Sequence, residues 1–353
     1  MLVSLIKQNV INLSAYKVND FECKAKLDAN ESPFGFDISP EALNLVKTNK
    51  YPDPEARELR AILSKMWDVP PENILHGNGS DELIYYCIMA TGGPVLYPTP
   101  TFVMYSIIAK SLSEATLPIA LNEDFELDTD AIIKTIHKKN PRIIFISSPN
   151  NPTGNAFAVE NIHRIIMESK GLVVVDEAYQ SFSDKPSFVS YIGNYDNLVV
   201  MKTLSKIGFA ALRLGFVIGR EDIIKEINKL RLPYNVNSLS QTIAVDLLSK
   251  KQSELSEDIQ TIISERYRLM ERLNEFNALR VYPSDSNFFL IKPLRMKGVE
   301  LYSKLLESGV AVKSFGAAVP ALNDCLRVTV GTPEENTFFL NCIEKILNTK
   351  RTT

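Results

Sequence analysis

Residues 142–147 read RIIFIS and residues 172–176 read LVVVD, two short apolar runs with the helix-like segment Val159–Lys170 between them. A strand, a helix and a second strand in this order are typical of a parallel sheet that helices cover. The alternation continues on both sides. The further runs are PVLY (94–97), NLVVM (197–201) and LGFVIG (214–219), and Thr129–Lys138 is another helix-like segment. The chain is therefore predicted to be α/β, with a mostly parallel sheet covered by helices on both faces.

The link between the runs 197–201 and 214–219 is too short for a full crossover helix. The last run is thus expected either to be antiparallel or to depart locally from the parallel arrangement.

Beyond residues 233–235, reading PYN, the pattern changes to that of a second, α+β domain. Ser253–Leu279 is predicted to be a long helix. Thr332 offers an N-cap for the last helix, Pro333 suits its first position, and Glu335 completes a capping box. The other predicted elements are the strands Ser286–Lys292, Val310–Lys313 and Leu326–Val330 and the helices Val299–Glu307 and Glu334–Leu347.

Composition and charge exclude several classes of protein. The chain has 353 residues, of which 45% are hydrophobic and 23% are charged, and its formal net charge is −3. This apolar fraction excludes wholesale disorder, and the length predicts about two domains. No long basic run suits a nucleic acid, and no apolar run approaches the roughly 18 residues of a membrane span. We expect a cytoplasmic protein with neither a nucleic-acid nor a membrane partner.

Cysteines and histidines are too few and too scattered for the usual metal or disulfide frameworks. No C-x-x-C pair and no H-E-x-x-H motif is present, so we expect reduced thiols and no metal site. The cysteines are Cys23, Cys87, Cys325 and Cys342, and the histidines are His76, His137 and His163.

Polar residues follow three of the predicted strands. Ser148–Gly154 follows RIIFIS, Asp176 ends LVVVD with Tyr179 behind it, and Lys202–Lys206 follows NLVVM. Ligands of an open parallel sheet bind beyond the carboxyl ends of its strands, so these groups should converge on one rim. An amide, a carboxylate, a phenol and a lysine in one place resemble the requirements of bound pyridoxal phosphate.

Asp176 and Lys206 are the residues on which this hypothesis depends. Asp176 could keep the pyridine nitrogen protonated, but a carboxylate there could also cap the next helix or be solvated. Lys206 could supply the amine, because a lysine that is desolvated or close to cations loses its proton more readily. A single lysine is otherwise a surface charge. Its setting favours chemistry, since Thr203, Ser205 and Arg213 look like a phosphate clamp.

The segment Gly77–Glu82, reading GNGSDE, opens a helix-like stretch that ends near Thr91. Its glycines permit an unusual backbone path, and the free N–H groups of a first helical turn can hold a phosphate. The alternative is that Ser80 simply caps the helix. Phe102 could stack on a cofactor ring or belong to the core.

The ordered set of motifs resembles the fold-type I pyridoxal-phosphate aminotransferases and is most similar to the histidinol-phosphate aminotransferases. The resemblance spans nearly the whole chain. Its motifs are LDANESPFG (27–35), YPDP (51–54), GNGSDE (77–82), PTF (100–102), SPNNPTG (148–154), DEAY (176–179), TLSK (203–206), RLG (213–215) and LRVTVGTPEEN (326–336).

The resemblance implies a homodimer of three-part subunits. Residues 1–30 would form an N-terminal arm that packs on the small domain and on the partner subunit. Residues 31–235 would form the large pyridoxal-phosphate-binding domain, and residues 236–353 the small α+β domain.

The resemblance also implies roles at the cofactor. Lys206 would form the Schiff base, Asp176 would pair with the pyridinium nitrogen, and Asn151 and Tyr179 would bond the ring oxygen O3′. Phe102 would stack on the ring. The catalytic residues would be Lys206, Asp176 and Tyr179. The phosphate would be held by Gly79, Ser80, Asp81, Thr203, Ser205, Arg213 and the partner subunit's Tyr51.

At the substrate, the resemblance implies that Arg327 grips an anionic end. The implied substrate-binding residues are Tyr16, Asn30, Tyr51, Asn151, Lys313 and Arg327. Lys313 is a departure, because the family usually has an arginine there for the second anionic group. Lysine keeps the charge but lacks the planar, bidentate fork of arginine.

The predicted function is transamination of histidinol phosphate with 2-oxoglutarate in histidine biosynthesis. An aromatic amino-acid aminotransferase and a threonine-phosphate decarboxylase are alternatives on the same fold. A non-catalytic binding or regulatory domain is a further alternative, against which the presence of Lys206, Asp176, Asn151 and Arg327 argues.

Overall fold

The computed structural model describes residues 5–14, 21–316 and 319–348. These residues form two β-sheets with helices packed around them. The strands are β1 (Ala25–Leu27), β2 (Ile74–Asn78), β3 (Val95–Thr99), β4 (Thr116–Ala120), β5 (Ile143–Ser147), β6 (Leu172–Asp176), β7 (Leu198–Thr203), β8 (Leu214–Gly219), β9 (Leu279–Val281), β10 (Phe288–Pro293), β11 (Val310–Ser314) and β12 (Leu326–Thr329). The helices are α1 (Gln8–Ile11), α2 (Pro40–Leu45), α3 (Arg57–Trp67), α4 (Ser80–Thr91), α5 (Met104–Ser111), α6 (Thr129–Lys139), α7 (Val159–Glu168), α8 (Glu221–Asn228), α9 (Ser238–Lys250), α10 (Gln252–Asn274), α11 (Gly298–Glu307) and α12 (Pro333–Asn348). None of the helices in these ranges is both long and apolar enough to cross a membrane.

The larger sheet is the mostly parallel sheet that the apolar runs predict. Its seven strands have the order β2-β8-β7-β6-β5-β3-β4. Strand β8 is antiparallel to both of its neighbours, and the other pairs are parallel. The α/β prediction is confirmed, and of the two options for residues 214–219 the antiparallel strand is the correct one.

Alternate side chains of the central strands enter two separate cores, one on each face of the sheet. In β5, Ile144 and Ile146 join a core that α6 and α7 cover, whereas Ile143 and Phe145 join the core under α4, α5 and α8. Each fully buried aliphatic or aromatic side chain contributes about 1.5–3 kcal/mol. This packing fixes the carboxyl ends of the strands, where the polar residues lie.

The smaller sheet has the order β1-β11-β12-β10-β9. The predicted start of α12 is confirmed, because the Thr332 N–H donates to Glu335 Oε2 (2.9 Å) and the Glu335 N–H donates to Thr332 Oγ1 (3.2 Å). The predicted end of the long helix at Leu279 is wrong. Helix α10 ends at Asn274, and Leu279 begins β9, where it pairs with Pro293.

Elements near the predicted domain limits contact more than one part of the chain. Strand β1 pairs with β11 of the smaller sheet, but α1 packs on α5, where Asn9 Nδ2 donates to the carbonyls of Lys110 and Ser111 (2.9 Å each). Helix α9 follows the predicted limit at residue 235 and packs on α2 and α3. The three-part division stays a prediction.

Candidate active site

Asp176 ends β6 as a buried carboxylate, with 4% of the residue exposed. The Tyr105 hydroxyl donates to its Oδ2 (2.6 Å), and the Ala178 N–H donates to its Oδ1 (3.1 Å). Burial raises the pKa of the Asp176 carboxyl to about 6, and the nearby negative charges of Asp81 and Glu177 add to the rise. A cation bound beside Asp176 would therefore be stabilised.

Tyr105 is the residue of this site that the sequence analysis missed. It lies in α5, fully buried, and its ring stacks on Phe145 at 4.6 Å between centroids. Its ring also meets the edge of Phe102 at 5.6 Å. Phe102 precedes α5, so no helical spacing links it to Tyr105, and no local pattern pointed to this tyrosine.

The burial of Asp176 is expected to make the cofactor-free protein less stable as the pH rises. An unfolded chain releases this proton near the ordinary pKa of 3.8, whereas the folded chain holds it up to a pKa of about 6. The Asp176 contribution to the free energy of unfolding is therefore complete below about pH 4 and falls by about 3 kcal/mol as the pH rises through about 6.

Urea unfolding of the cofactor-free protein and of Asp176→Asn across this pH range measures the effect. The free energy of unfolding of the variant, relative to that of wild type, should rise by about 3 kcal/mol between about pH 4 and a pH well above about 6. A constant difference would contradict the raised pKa.

The start of α4 and the loop around Arg213 form a cradle. Gly79 has φ +82°, a conformation that residues with a side chain rarely adopt, and a Cβ atom added there would lie 2.6 Å from Arg213 Nη2, so the Arg213 guanidinium reaches this turn. Arg213 Nη2 lies 3.7 Å from Asp81 Oδ2. At the end of β7, the Thr203 and Ser205 hydroxyl oxygens are 3.0 Å apart. The first turn of α4 thus lies beside a guanidinium, an arrangement that suits an anion.

Lys206 is half-buried just beyond β7, and its Nζ lies 5.8 Å from the centre of the Tyr179 ring. Burial raises the pKa of the Asp81 carboxyl, while the Arg213 and Lys206 charges act to lower it. The structure therefore brings Lys206, the cradle and Tyr179 into one neighbourhood.

Arg327 and Asn30, on the side of the smaller sheet, each bond a residue of the larger sheet's rim. Arg327 Nη1 donates to Asn151 Oδ1 (2.7 Å), and Arg327 Nη2 donates to the Asp28 carbonyl (2.6 Å). Asn30 Nδ2 donates to the Tyr179 hydroxyl (3.0 Å). Lys313 pairs with Arg327 in the β11–β12 register, and such cross-strand partners project from the same face of a sheet.

Two of the predicted site residues lie apart from this group. Tyr51 is 80% exposed and stacks on Tyr234 at 4.5 Å between centroids. It borders a groove of about 300 Å³ that Lys47 and Gln241 also line. Tyr16 lies outside the described residues.

The fold and the residues at its strand ends define an aminotransferase of class I and II, and the family model of that description matches residues 8–343. The chain is 41% identical over 350 residues to histidinol-phosphate aminotransferase 2 of Nitrosococcus oceani, with 96% of each chain covered. The chain belongs to the histidinol-phosphate aminotransferase family, which confirms the resemblance noted in the sequence.

Solved structures agree with this assignment. The crystal structure of the histidinol-phosphate aminotransferase from Clostridium acetobutylicum has a TM-score of 0.84 at 26% identity and covers 92% of this chain and 100% of its own. The Sinorhizobium meliloti histidinol-phosphate aminotransferase, crystallised in complex with pyridoxal-5′-phosphate, shares the fold with a TM-score of 0.85 at 20% identity, and 98% of each chain is covered.

Proposed function

We propose that this chain is a pyridoxal-phosphate-dependent transaminase. It transfers the amino group of histidinol phosphate to 2-oxoglutarate, giving imidazole acetol phosphate and glutamate in histidine biosynthesis. The observation that carries the proposal, in a member of this family, is the set of groups beyond the strand ends: the buried Asp176 carboxylate, the Lys206 amine beside Tyr179, and Arg327 bonded to Asn151.

The residues of the site fit the cofactor. A buried carboxylate whose pKa is raised needs a cation such as a pyridinium, and Asp176 is such a group. The Arg213 guanidinium lies against Gly79, at the start of α4. One buried oxygen of Asp81, Oδ1, has no hydrogen-bond partner in the part of the chain that the structure describes. The first-turn N–H groups of α4 and the Arg213 guanidinium suit an anion such as a phosphate monoester.

Bound pyridoxal phosphate supplies an aldehyde that condenses with amines and a ring that accepts electrons. Lys206 would hold the cofactor between turnovers and, as a free amine, would move the proton between the substrate Cα and the cofactor C4′. Asp176 would hold the ring nitrogen in its protonated form. Arg327 binds the anionic end of the substrate, while Asn151, to which it donates, orients the ring oxygen.

The substrate assignment is tested by kcat/KM for histidinol phosphate, phenylalanine and tyrosine, each with 2-oxoglutarate as the acceptor. A preference for histidinol phosphate of about 100-fold, or about 2.7 kcal/mol, is expected. Comparable kcat/KM values for the aromatic amino acids would show instead that the enzyme is an aromatic amino-acid aminotransferase. Release of CO₂ from threonine phosphate would replace it by a decarboxylase.

Lys313 is expected to bind the phosphate of histidinol phosphate. Lys313→Gln should lower kcat/KM for histidinol phosphate by about tenfold or more, because a charge-assisted hydrogen bond is lost. The value for phenylalanine, which has no phosphate, should change less than about threefold. Lys313→Arg should keep or improve phosphate binding. Equal losses for both substrates would contradict this role, and Lys304→Gln on the exposed face of α11 is the control.

We also propose that the enzyme is a cytoplasmic homodimer. The exposed Tyr51 and Tyr234 rings, the adjoining groove and the exposed side chains of Leu45 and Leu232 form a surface that a second copy would cover. The unpaired state of all four cysteines suits a reducing compartment.

Subunit mixing tests whether the partner subunit's Tyr51 completes the site. The variants Tyr51→Ala and Lys206→Ala should each be nearly inactive. In a hybrid dimer, one site would combine an intact Lys206 with an intact Tyr51 from the other subunit. An equimolar mixture that exchanges subunits should therefore recover about a quarter of wild-type activity. No recovery, with exchange verified by differently tagged subunits, would place Tyr51 at its own subunit's site.

A further inference from the structure

Asn30 is held firmly where the two sheets meet. It is 1% exposed and has φ +54°, a left-handed conformation that asparagine tolerates better than most residues. Its backbone N–H donates to Thr329 Oγ1 (3.0 Å), and its carbonyl accepts from Asn287 Nδ2 (3.1 Å). Its side chain bonds the Tyr179 hydroxyl through Nδ2 and Thr329 Oγ1 through Oδ1 (3.2 Å). A side chain this buried and this well bonded is placed to act on Tyr179.

The Thr329 hydroxyl fixes which end of the Asn30 amide faces Tyr179. Because Thr329 Oγ1 accepts from the Asn30 backbone N–H, its own proton is available for Asn30 Oδ1. If the amide were reversed, Thr329 Oγ1 would accept twice and its proton would need another acceptor. The hydrogen bonds of the described residues include none, and a buried donor without a partner is costly. Asn30 Nδ2 therefore faces the Tyr179 hydroxyl.

The consequence concerns the proton of Tyr179. A phenol has one proton, and the Tyr179 oxygen already accepts from Asn30, so its own proton does not point to Asn30. A hydroxyl that accepts a hydrogen bond also becomes a stronger donor. The amide thus both directs and strengthens the donation by Tyr179.

We propose that Asn30 is a positioning residue, which directs the Tyr179 proton to the ring oxygen O3′ of the bound cofactor. The proposal rests on the proposed function, in which Tyr179 bonds O3′. This positioning role takes the place of the direct contact with the substrate that the resemblance implies for Asn30. Donation to O3′ disperses the negative charge that would otherwise hold a proton on the neighbouring Schiff-base nitrogen. The pH midpoint of the visible absorbance of the bound cofactor, measured without substrate, therefore reports the role of Asn30.

Asn30→Asp is the sharpest variant, because a carboxylate has the same shape but only accepts hydrogen bonds. It should draw the Tyr179 proton away from the cofactor and raise the absorbance midpoint by about one pH unit. Asn30→Gly is the neutral second variant, since glycine adopts the left-handed conformation freely, and it should raise the midpoint in the same direction. Asn140→Asp, also left-handed but exposed at the end of α6, is the matched control and should leave the midpoint unchanged.

The same substitutions in a Tyr179→Phe background show whether Asn30 acts through Tyr179. In the Tyr179→Phe background, the shift of the absorbance midpoint caused by Asn30→Gly should be less than about a third of the shift that it causes in wild type. An equal shift in both backgrounds, or a shift with Asn30→Asp alone, would overturn the proposal. An unchanged absorbance midpoint together with a raised KM in the Asn30 variants would also overturn the proposal. If wild-type protein forms no pH-dependent chromophore with pyridoxal phosphate, the proposed function itself fails, which is a different result.

Discussion

Lys206→Ala is expected to abolish transamination, with a loss of at least about 10⁴-fold in kcat. The amine of Lys206 is half-buried beyond β7 and close to Tyr179 and the cradle. Lys202, the other lysine of the same segment, is engaged in a buried ion pair with Glu177 (2.7 Å) and cannot replace it. Lys313, the other amine assigned to the site, is expected to bind the substrate phosphate. Neither lysine would then move the proton between Cα and C4′.

Cofactor binding separates loss of chemistry from loss of structure. The phosphate cradle and Asp176 are intact in Lys206→Ala, so the variant should still bind pyridoxal phosphate, but noncovalently. Borohydride should fix the cofactor to wild type and leave it removable by dialysis from the variant. Lys206→Arg keeps the positive charge and should be equally inactive, since a guanidinium stays protonated. Residual activity above about one hundredth of wild type would contradict the assignment of Lys206.

The central strands could be predicted because their burial on both faces leaves continuous apolar runs. LVVVD at 172–176 and RIIFIS at 142–147 are examples. Strands β2 and β4 carry no such signal. Strand β2 contains His76 and Gly77 in a polar-looking run, and β4 contains Pro118 and is only partly buried, so neither resembles a buried strand.

Some residues of the candidate site could likewise be predicted from the sequence, and others could not. Asp176 ends β6 and Lys206 lies shortly after the end of β7, so chain order alone brings them to one rim. The supporting contacts depend on three-dimensional packing that no local pattern encodes. Tyr105 lies 71 residues from Asp176 in sequence, and Asn30 lies 149 residues from Tyr179. Sequence analysis could therefore name candidate reacting groups, but it missed Tyr105 and gave Asn30 a different role, in substrate binding.

Asp176→Asn is expected to lower kcat/KM for histidinol phosphate by at least about a thousandfold, or about 4 kcal/mol. In the folded protein, burial disfavours the charge on Asp176, and a bound pyridinium offsets this cost. Asparagine has the same shape but no charge, so the ring nitrogen would lose its proton and the ring would accept electrons less well. The carboxamide also has one oxygen for two donors, the Tyr105 hydroxyl and the Ala178 N–H.

Tyr105→Phe is the matched comparison, because it removes one hydrogen bond to Asp176 and keeps the carboxylate. Its loss should be far smaller, about tenfold, and its pH–rate profile should shift upward, since donation from Tyr105 lowers the pKa of Asp176. Single-turnover rates at saturating pyridoxal phosphate separate a weaker cofactor affinity from slower chemistry. A loss below about tenfold for Asp176→Asn under these conditions would show that the buried carboxylate does not hold the ring proton, whatever its position in the fold.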